Sequence, residues 1–299
     1  MSELLLEVDD LHVHFATEDG VVRAVDGVSF ELARGDVLGI VGESGSGKSV
    51  TAMTLMGLTR GVNSIFEGRI VYKGKDMLNI SEREFQGYRG AEIGMIFQDP
   101  MTSLNPVYRI GDQIVEAIRT HDSVDRRTAR KRSVELLRQV GIPNPETRVD
   151  DFPHQFSGGM RQRAMIAMAL SCSPDILIAD EPTTALDVTI QAQIIELISR
   201  LKDDFNSAVI LITHDLGVVA DIADEIIVMY AGRVVEQAAK RELFYNPQMP
   251  YTWGLLGSIP RLENHVEAAD HRDRCWLDTD YKRAYRDATI SGGHTEAEQ

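Results

Sequence analysis

The sequence predicts an α/β fold with four parts: a parallel-sheet core, an N-terminal antiparallel β layer, an inserted α-helical subdomain and a C-terminal extension. Three observations carry this. Val37–Val41, Ile176–Ala179 and Val209–Thr213 are short, uninterrupted apolar runs, as strands buried on both faces require. The first run stops at a glycine cluster and is followed by a helical pattern over Lys48–Leu58 that ends near Gly61. The chain has 299 residues, 43% hydrophobic and 26% charged, which suits one large core with an insertion or an appendage.

Residues 4–8 and 27–33, around a polar tip at Thr17–Gly20, read as strands and hairpins of the β layer. Ile110–Ile118 and Ala129–Val140 look helical, with a basic cluster at Arg126, Arg127, Arg130, Lys131 and Arg132, so the helical insertion spans about 96–170. Ile190, Ile194, Leu197, Ile198 and Leu201 form one apolar stripe on a helix that joins two of the core strands. Ile226–Tyr230 is a further strand, turned at Gly232 into Arg233–Glu236. Beyond about residue 245, Pro247, Pro250 and Pro260 predict loop, and the polar end predicts a partly mobile tail, which divides the chain into 1–245 and 246–299. The net charge of −15 argues against broad electrostatic capture of nucleic acid or an anionic bilayer. No apolar run approaches the roughly 20 residues of a membrane span, and MSELLLEVDD lacks the features of a secretory signal, so a cytosolic chain is expected. Cys172 and Cys275 support neither a disulfide framework nor a zinc site.

Gly42-Glu43-Ser44-Gly45-Ser46-Gly47-Lys48-Ser49 fits G-x-x-x-x-G-K-S between a strand and a helix. In such a loop, glycines let backbone N–H groups converge on a phosphate and the helix N-terminus adds its dipole. Lys48 reaches the β- and γ-phosphates and the Ser49 hydroxyl ligates Mg²⁺. Ile176–Ala179 runs into Asp180 and Glu181. A strand beside the phosphate loop delivers Asp180 to the Mg²⁺ shell and leaves Glu181 to polarise the attacking water.

Ser157-Gly158-Gly159-Met160-Arg161-Gln162, shortly before the Asp180 strand, is similar to the signature motif of the ATP-binding-cassette (ABC) ATPases. That resemblance implies a P-loop NTPase (RecA-like) core and a signature turn that contacts the γ-phosphate of ATP bound to the opposite subunit. It also implies roles for other residues. Gln98, after Ile93–Phe97, resembles the Q-loop glutamine, which touches Mg²⁺ or the attacking water and faces the membrane subunit. Ala185-Leu186-Asp187 resembles the D-loop, and His214 the switch histidine. Phe15 is the candidate for stacking on adenine, with Val22 and Arg23 as competing placements and a small-core role for Phe15 equally open. Phe97–Pro106 and Asn246–Thr252 resemble segments of the oligopeptide and dipeptide import branch, the second opening a branch-specific C-terminal extension; without the resemblance both read as proline-bearing loops. Many relatives carry a cysteine cluster there that is compatible with an iron–sulfur centre, which needs about four thiolates. Cys275 is the only cysteine of this tail, so no cluster is expected.

The resemblance implies the ATP-hydrolysing subunit of an importer, with ATP and Mg²⁺ as cofactors and peptides as cargo. Its phosphate loop and signature motif serve different nucleotides, so a second ATP-binding subunit, identical or paralogous, must pair head to tail. Transmembrane permease subunits and, indirectly, an extracytoplasmic solute-binding protein complete the machine, and the chain sits peripherally on the cytoplasmic face of the membrane without nucleic acid. The competing readings are an importer of another solute such as nickel or an oligosaccharide, a soluble ABC ATPase acting on nucleic acid or the ribosome, and a clamp that binds ATP without turnover.

Overall fold

The computed structural model describes residues 3–184 and 186–258; Ala185, Pro260, Cys275 and the rest of the tail from 259 lie outside the described residues. In chain order the elements are β1 (Leu4–Thr17), β2 (Gly20–Ala33), β3 (Val37–Val41), α1 (Lys48–Leu55), β4 (Ser64–Tyr72), β5 (Lys75–Asp76), α2 (Glu82–Tyr88) and β6 (Ile93–Ile96). Helices α3 (Pro100–Ser103), α4 (Ile110–His121), α5 (Arg126–Gln139), α6 (Pro145–Arg148) and α7 (Gly158–Ala169) follow. The chain then runs through β7 (Ile176–Asp180), α8 (Val188–Phe205), β8 (Ala208–Thr213), α9 (Leu216–Ile222), β9 (Glu225–Tyr230), β10 (Arg233–Ala239), α10 (Lys240–Tyr245) and α11 (Pro250–Gly257).

Two sheets form. One is antiparallel in the order β2-β1-β4-β5; the other runs β10-β9-β3-β8-β7-β6, parallel except for the β10 edge. Alternation along the parallel strands feeds two cores. Val37, Val41, Val209, Leu211, Leu177 and Ala179 face the helices, while Leu38, Ile40, Ile210, Ile212, Ile176 and Ile178 face α1 and the β layer. Helix α1 contributes Ala52 and Leu55 to the second core, which also holds residues of both sheets. At the starts of β6 and β7 the layers are clamped by charge. Asp175 accepts from Arg34 and Lys73, each at 2.5 Å, and from the Tyr72 hydroxyl at 3.0 Å, while Glu92 accepts from Tyr72 at 2.8 Å and from Lys73 at 3.0 Å. Those bonds hold the Asp175 carboxyl below its usual range, against the burial that pushes it up.

Three expectations are corrected. The strands of the β layer run much further than 4–8 and 27–33, because β1 and β2 continue as a ladder to the Thr17–Gly20 turn. Helix α1 stops at Leu55 rather than near Leu58. Gly57 takes φ +64° and the Leu58 N–H returns to the Met53 carbonyl, which ends the helix by satisfying one of its last acceptors. Two proline-bearing segments are not loops: Pro100 and Pro250 open α3 and α11 from the first turn, where a missing N–H costs no bond.

Candidate active site

The chain leaves β3 at Val41, curls through Gly42–Gly47 and enters α1 at Lys48. Glycine is obligatory at two points of the curl. A Cβ on Gly42 would stand 2.2 Å from the Met229 carbonyl oxygen, and one on Gly47, at φ +102°, would stand 2.4 Å from that of Ala24. Met229 belongs to β9 and Ala24 to β2, so both sheets mould the loop.

Lys48 is only 4% exposed. Its Nζ donates to the carbonyl oxygens of Gly42 and Glu43, each at 2.8 Å. Burial pushes its ammonium below the usual lysine range, while Glu181, Asp180 and Glu43 pull it back. Asp180, the last residue of β7, is 3% exposed and accepts from the Ser49 hydroxyl at 3.1 Å. Burial pushes its carboxyl up; the Ser49 bond opposes this, the Glu181 charge reinforces it and Lys48 opposes it. Ser49 Oγ and the Asp180 carboxylate are hard oxygen donors, spaced as two ligands of one octahedral cation at about 2.1 Å would be, so they fit Mg²⁺.

Glu181 takes φ +47°, in the left-handed region that costs a non-glycine residue on the order of 1–3 kcal/mol. Its N–H is held by the Ile212 carbonyl of β8 at 2.8 Å. That turn carries the carboxylate away from Asp180 to a meeting point of three side chains. On Oε2 converge Gln98 Nε2 at 2.9 Å, the Thr184 hydroxyl at 2.9 Å and His214 Nδ1 at 3.6 Å. Thr184 escaped the sequence reading. Its signal was a hydroxyl three residues after the carboxylate, which a tight turn can fold back. Gln98 contacts Glu181 here rather than Ser49 or Asp180. His214 is 62% exposed at its side chain; next to it, Asp215 caps α9 and accepts from Gln191 of α8 at 3.3 Å.

The remaining candidates lie elsewhere. Ser157 is the N-cap of α7, accepting from the Met160 N–H at 3.3 Å, and Arg161 donates to the Phe156 carbonyl at 2.9 Å. Among the described residues no hydrogen bond joins 157–162 to the phosphate loop. Gln162 is 2% exposed, so this member of the motif is turned into its own subunit and offers nothing to a second one. Asp187 is the N-cap of α8 without a side-chain capping bond, and its neighbour Val188 is 83% exposed. Phe15, opposite Val22 and Ser64 in the ladders, packs half-buried against the second core, whereas Val22 and Arg23 are exposed. Three of the five residues of the basic cluster pair within the chain: Arg126 with Asp112 at 2.9 Å, Arg130 with Asp150 at 2.7 Å, and Arg132 with Asp122. No helix among the described residues is long and apolar enough to cross a membrane.

A glycine curl between a central parallel strand and a helix, with a buried lysine inside and two carboxylates at the end of β7, one strand away across β8, defines a P-loop nucleotide-binding cassette. Residues 25–184 match the ABC transporter family and residues 235–279 the oligopeptide/dipeptide transporter C-terminal region. The chain belongs to the ABC transporter family. It is 57% identical over 264 residues to the oligopeptide transport ATP-binding protein OppD of Bacillus subtilis, covering 88% of this chain and 74% of that protein. Against the dipeptide transport ATP-binding protein DppD of Escherichia coli it is 54% identical over 263 residues, 88% of this chain and 80% of that protein. Among solved structures, a dimeric ATP-binding cassette in a post-hydrolysis state bound to ADP and Pi superposes with TM-score 0.71 at 25% identity, over 79% of this chain and 99% of that one.

Proposed function

We propose that this chain hydrolyses ATP to power the import of di- and oligopeptides through membrane permease subunits. The observation that carries the proposal is the convergence of Gln98, Thr184 and His214 on the Glu181 carboxylate, beside a loop that buries Lys48 against Asp180. Hydrolysis needs a base beside a water held in line with the leaving group, and across the left-handed turn at Glu181 that carboxylate meets Gln98, Thr184 and His214 while Asp180 bonds Ser49 at the cation position. Loop amides, Lys48 and the α1 N-terminus receive the phosphates, with Gly42, Glu43, Ser44, Gly45, Ser46, Gly47 and Ser49 forming the cradle. Ser49 and Asp180 hold Mg²⁺, which neutralises phosphate charge when bound. Gln98 orients Glu181, His214 senses the γ-phosphate, and Phe15 presents its open face to adenine.

Among the described residues Ser157, Gly158 and Gly159 make no hydrogen bond to the phosphate loop, which supports a head-to-tail dimer in which they meet the γ-phosphate bound by a second cassette. Asp187 and the exposed Val188 belong to the same face. The permease contact falls on the segment around and after Gln98, where Phe97, Met101, Val107 and Tyr108 are 37%, 62%, 72% and 57% exposed, beside an apolar-lined cavity of about 550 Å³. On this reading the chain works at the cytoplasmic face of the membrane, with a solute-binding protein acting through the permease. Pairing of Arg126, Arg130 and Arg132 with carboxylates of the same chain weakens the main support for a nucleic-acid partner. The peptide cargo rests on the named relatives and the C-terminal region match.

The test is hydrolysis by the transporter reconstituted from this chain and its co-purified permeases. ATP turnover should rise with di- or oligopeptide and its binding protein, and collapse in Glu181→Gln. Stimulation by a metal ion or sugar instead of peptide overturns the cargo; undiminished turnover in the variant overturns the role of Glu181.

A further inference from the structure

The C-terminal segment that opens with Asn246-Pro247-Gln248-Met249-Pro250-Tyr251 reaches back to the phosphate loop. The Glu43 N–H donates to the Tyr251 hydroxyl at 3.2 Å, across 208 positions of sequence. Three contacts aim the ring. The Tyr251 and Tyr230 rings lie 4.7 Å apart at 55°. The Gln248 and Met249 N–H groups donate to the two carboxylate oxygens of Glu236 on β10, at 2.6 and 3.2 Å. Tyr251, Leu255 and Leu256 pack on the helical-side core, and Thr252 is fully buried. The contact is therefore held from both ends, by a docked helix and by a moulded loop.

The peptide that Tyr251 touches is one that Lys48 also touches. Lys48 Nζ holds the Gly42 carbonyl at 2.8 Å, and Tyr251 holds the Glu43 N–H of that same Gly42–Glu43 peptide. On the function proposed above, Lys48 turns from that carbonyl to a phosphate when nucleotide arrives. The Tyr251 hydroxyl then remains as the side-chain hold on the Glu43 peptide, and an oriented loop has less order to gain on binding.

We infer that Tyr251 is a positioning residue of the nucleotide site, fastening the C-terminal helix α11 to the phosphate loop so that nucleotide affinity and docking of α11 are linked. The inference rests on the proposed nucleotide site and gives the motif around Pro250 a function within it. Because linkage is reciprocal, nucleotide must tighten the helix by as much as the helix tightens nucleotide. Burial pushes the phenol up from its ordinary range, so the hydroxyl remains protonated at neutral pH and free to accept with its lone pairs.

The test uses the full chain with Mg²⁺ and a fluorescent, non-hydrolysable ATP analogue, comparing wild type, Tyr251→Phe and Lys48→Ala. Tyr251→Phe keeps the ring and its packing and removes only the hydroxyl. It should weaken analogue affinity about two- to tenfold, the range of one net hydrogen bond, and raise KM for ATP while leaving kcat at saturating ATP little changed. Hydrogen exchange supplies the readout that a purely structural tyrosine would not move. Adding the analogue should slow exchange across 250–257 in wild type, and less so in Tyr251→Phe. Wild-type affinity in Tyr251→Phe, or wild-type protection of 250–257, overturns the inference. Wild-type affinity in Lys48→Ala overturns the nucleotide site itself, so the two failures are told apart.

Discussion

Two glycine turns open helices in this chain, and their surroundings differ. At the phosphate loop, Gly42 and Gly47 are imposed from within, since carbonyls of β9 and β2 stand where a side chain would begin. At the signature turn the demand is weaker. Neither Gly158 nor Gly159 has a positive φ; a Cβ on Gly158 would meet only Leu186, at an ordinary 3.9 Å, while one on Gly159 would stand 3.2 Å from Ile190 Cγ2, a tight contact with a side chain rather than with backbone. The first turn is glycine because of its own fold. The second is glycine without an intrachain cause at Gly158, in line with the contact to a second cassette proposed above.

The largest test of that contrast is chemical. Glu181→Gln should cut turnover about 10²- to 10⁴-fold, the worth of a positioned base, with analogue affinity retained, as phosphate release and binding titrations will show. Near-normal turnover would dissolve the distinction between a chemically complete loop and an incomplete turn. Next, Gly47→Ala should lose roughly 2–4 kcal/mol of stability from strain plus overlap, whereas Gly158→Ala should stay within about 0.5 kcal/mol yet lose ATP-dependent dimerisation. Thermal melts and size-exclusion with ATP decide it, and equal stability losses would break the comparison. Lys48→Ala should weaken nucleotide binding about 10- to 150-fold, the range for a charged hydrogen bond. The smallest effect concerns Asp180. Its pKa is raised in the folded state, so the native protein takes up this proton more readily than the unfolded chain. The cost of its charge is fully present at neutral pH and fades as pH falls through the carboxylate range. Asp180→Asn should therefore raise stability by about 0.5–2 kcal/mol at pH 7 and by less at pH 4, read as a pH series of melting temperatures.

The phosphate loop was legible because its chemistry is local: eight successive residues hold the glycines, lysine and serine that the backbone geometry requires. Asp180 and Glu181 were legible for a similar reason, as an apolar strand with a charged end. Strand β4 was not, since Glu67, Gly68 and Arg69 are exposed in its middle and only Ile70 and Tyr72 are fully buried, with Phe66 packed partly against the core. Helix α11 hid behind Pro250, which reads as a breaker until it is seen at a helix's first turn. The reach of Tyr251 to Glu43 follows from tertiary placement, which no spacing in the sequence encodes, whereas the return of Thr184 onto Glu181 is a local three-residue turn whose spacing was there to be read.

The charged clamp at Asp175 is one of two ties between the layers. Arg34, Tyr72 and Lys73 rivet the β layer to the start of β7, at the opposite end of that strand from Asp180. At the nucleotide rim Arg233 of β10 donates to the Asp26 carboxylate of β2 at 2.9 and 2.6 Å, and the Asp26 N–H donates to the Gly232 carbonyl at 2.8 Å. Fastened at both ends, neither layer slides over the other without breaking charged bonds. The Ala24 carbonyl that faces Gly47 is thereby held in place, and the loop keeps its curl before any nucleotide arrives.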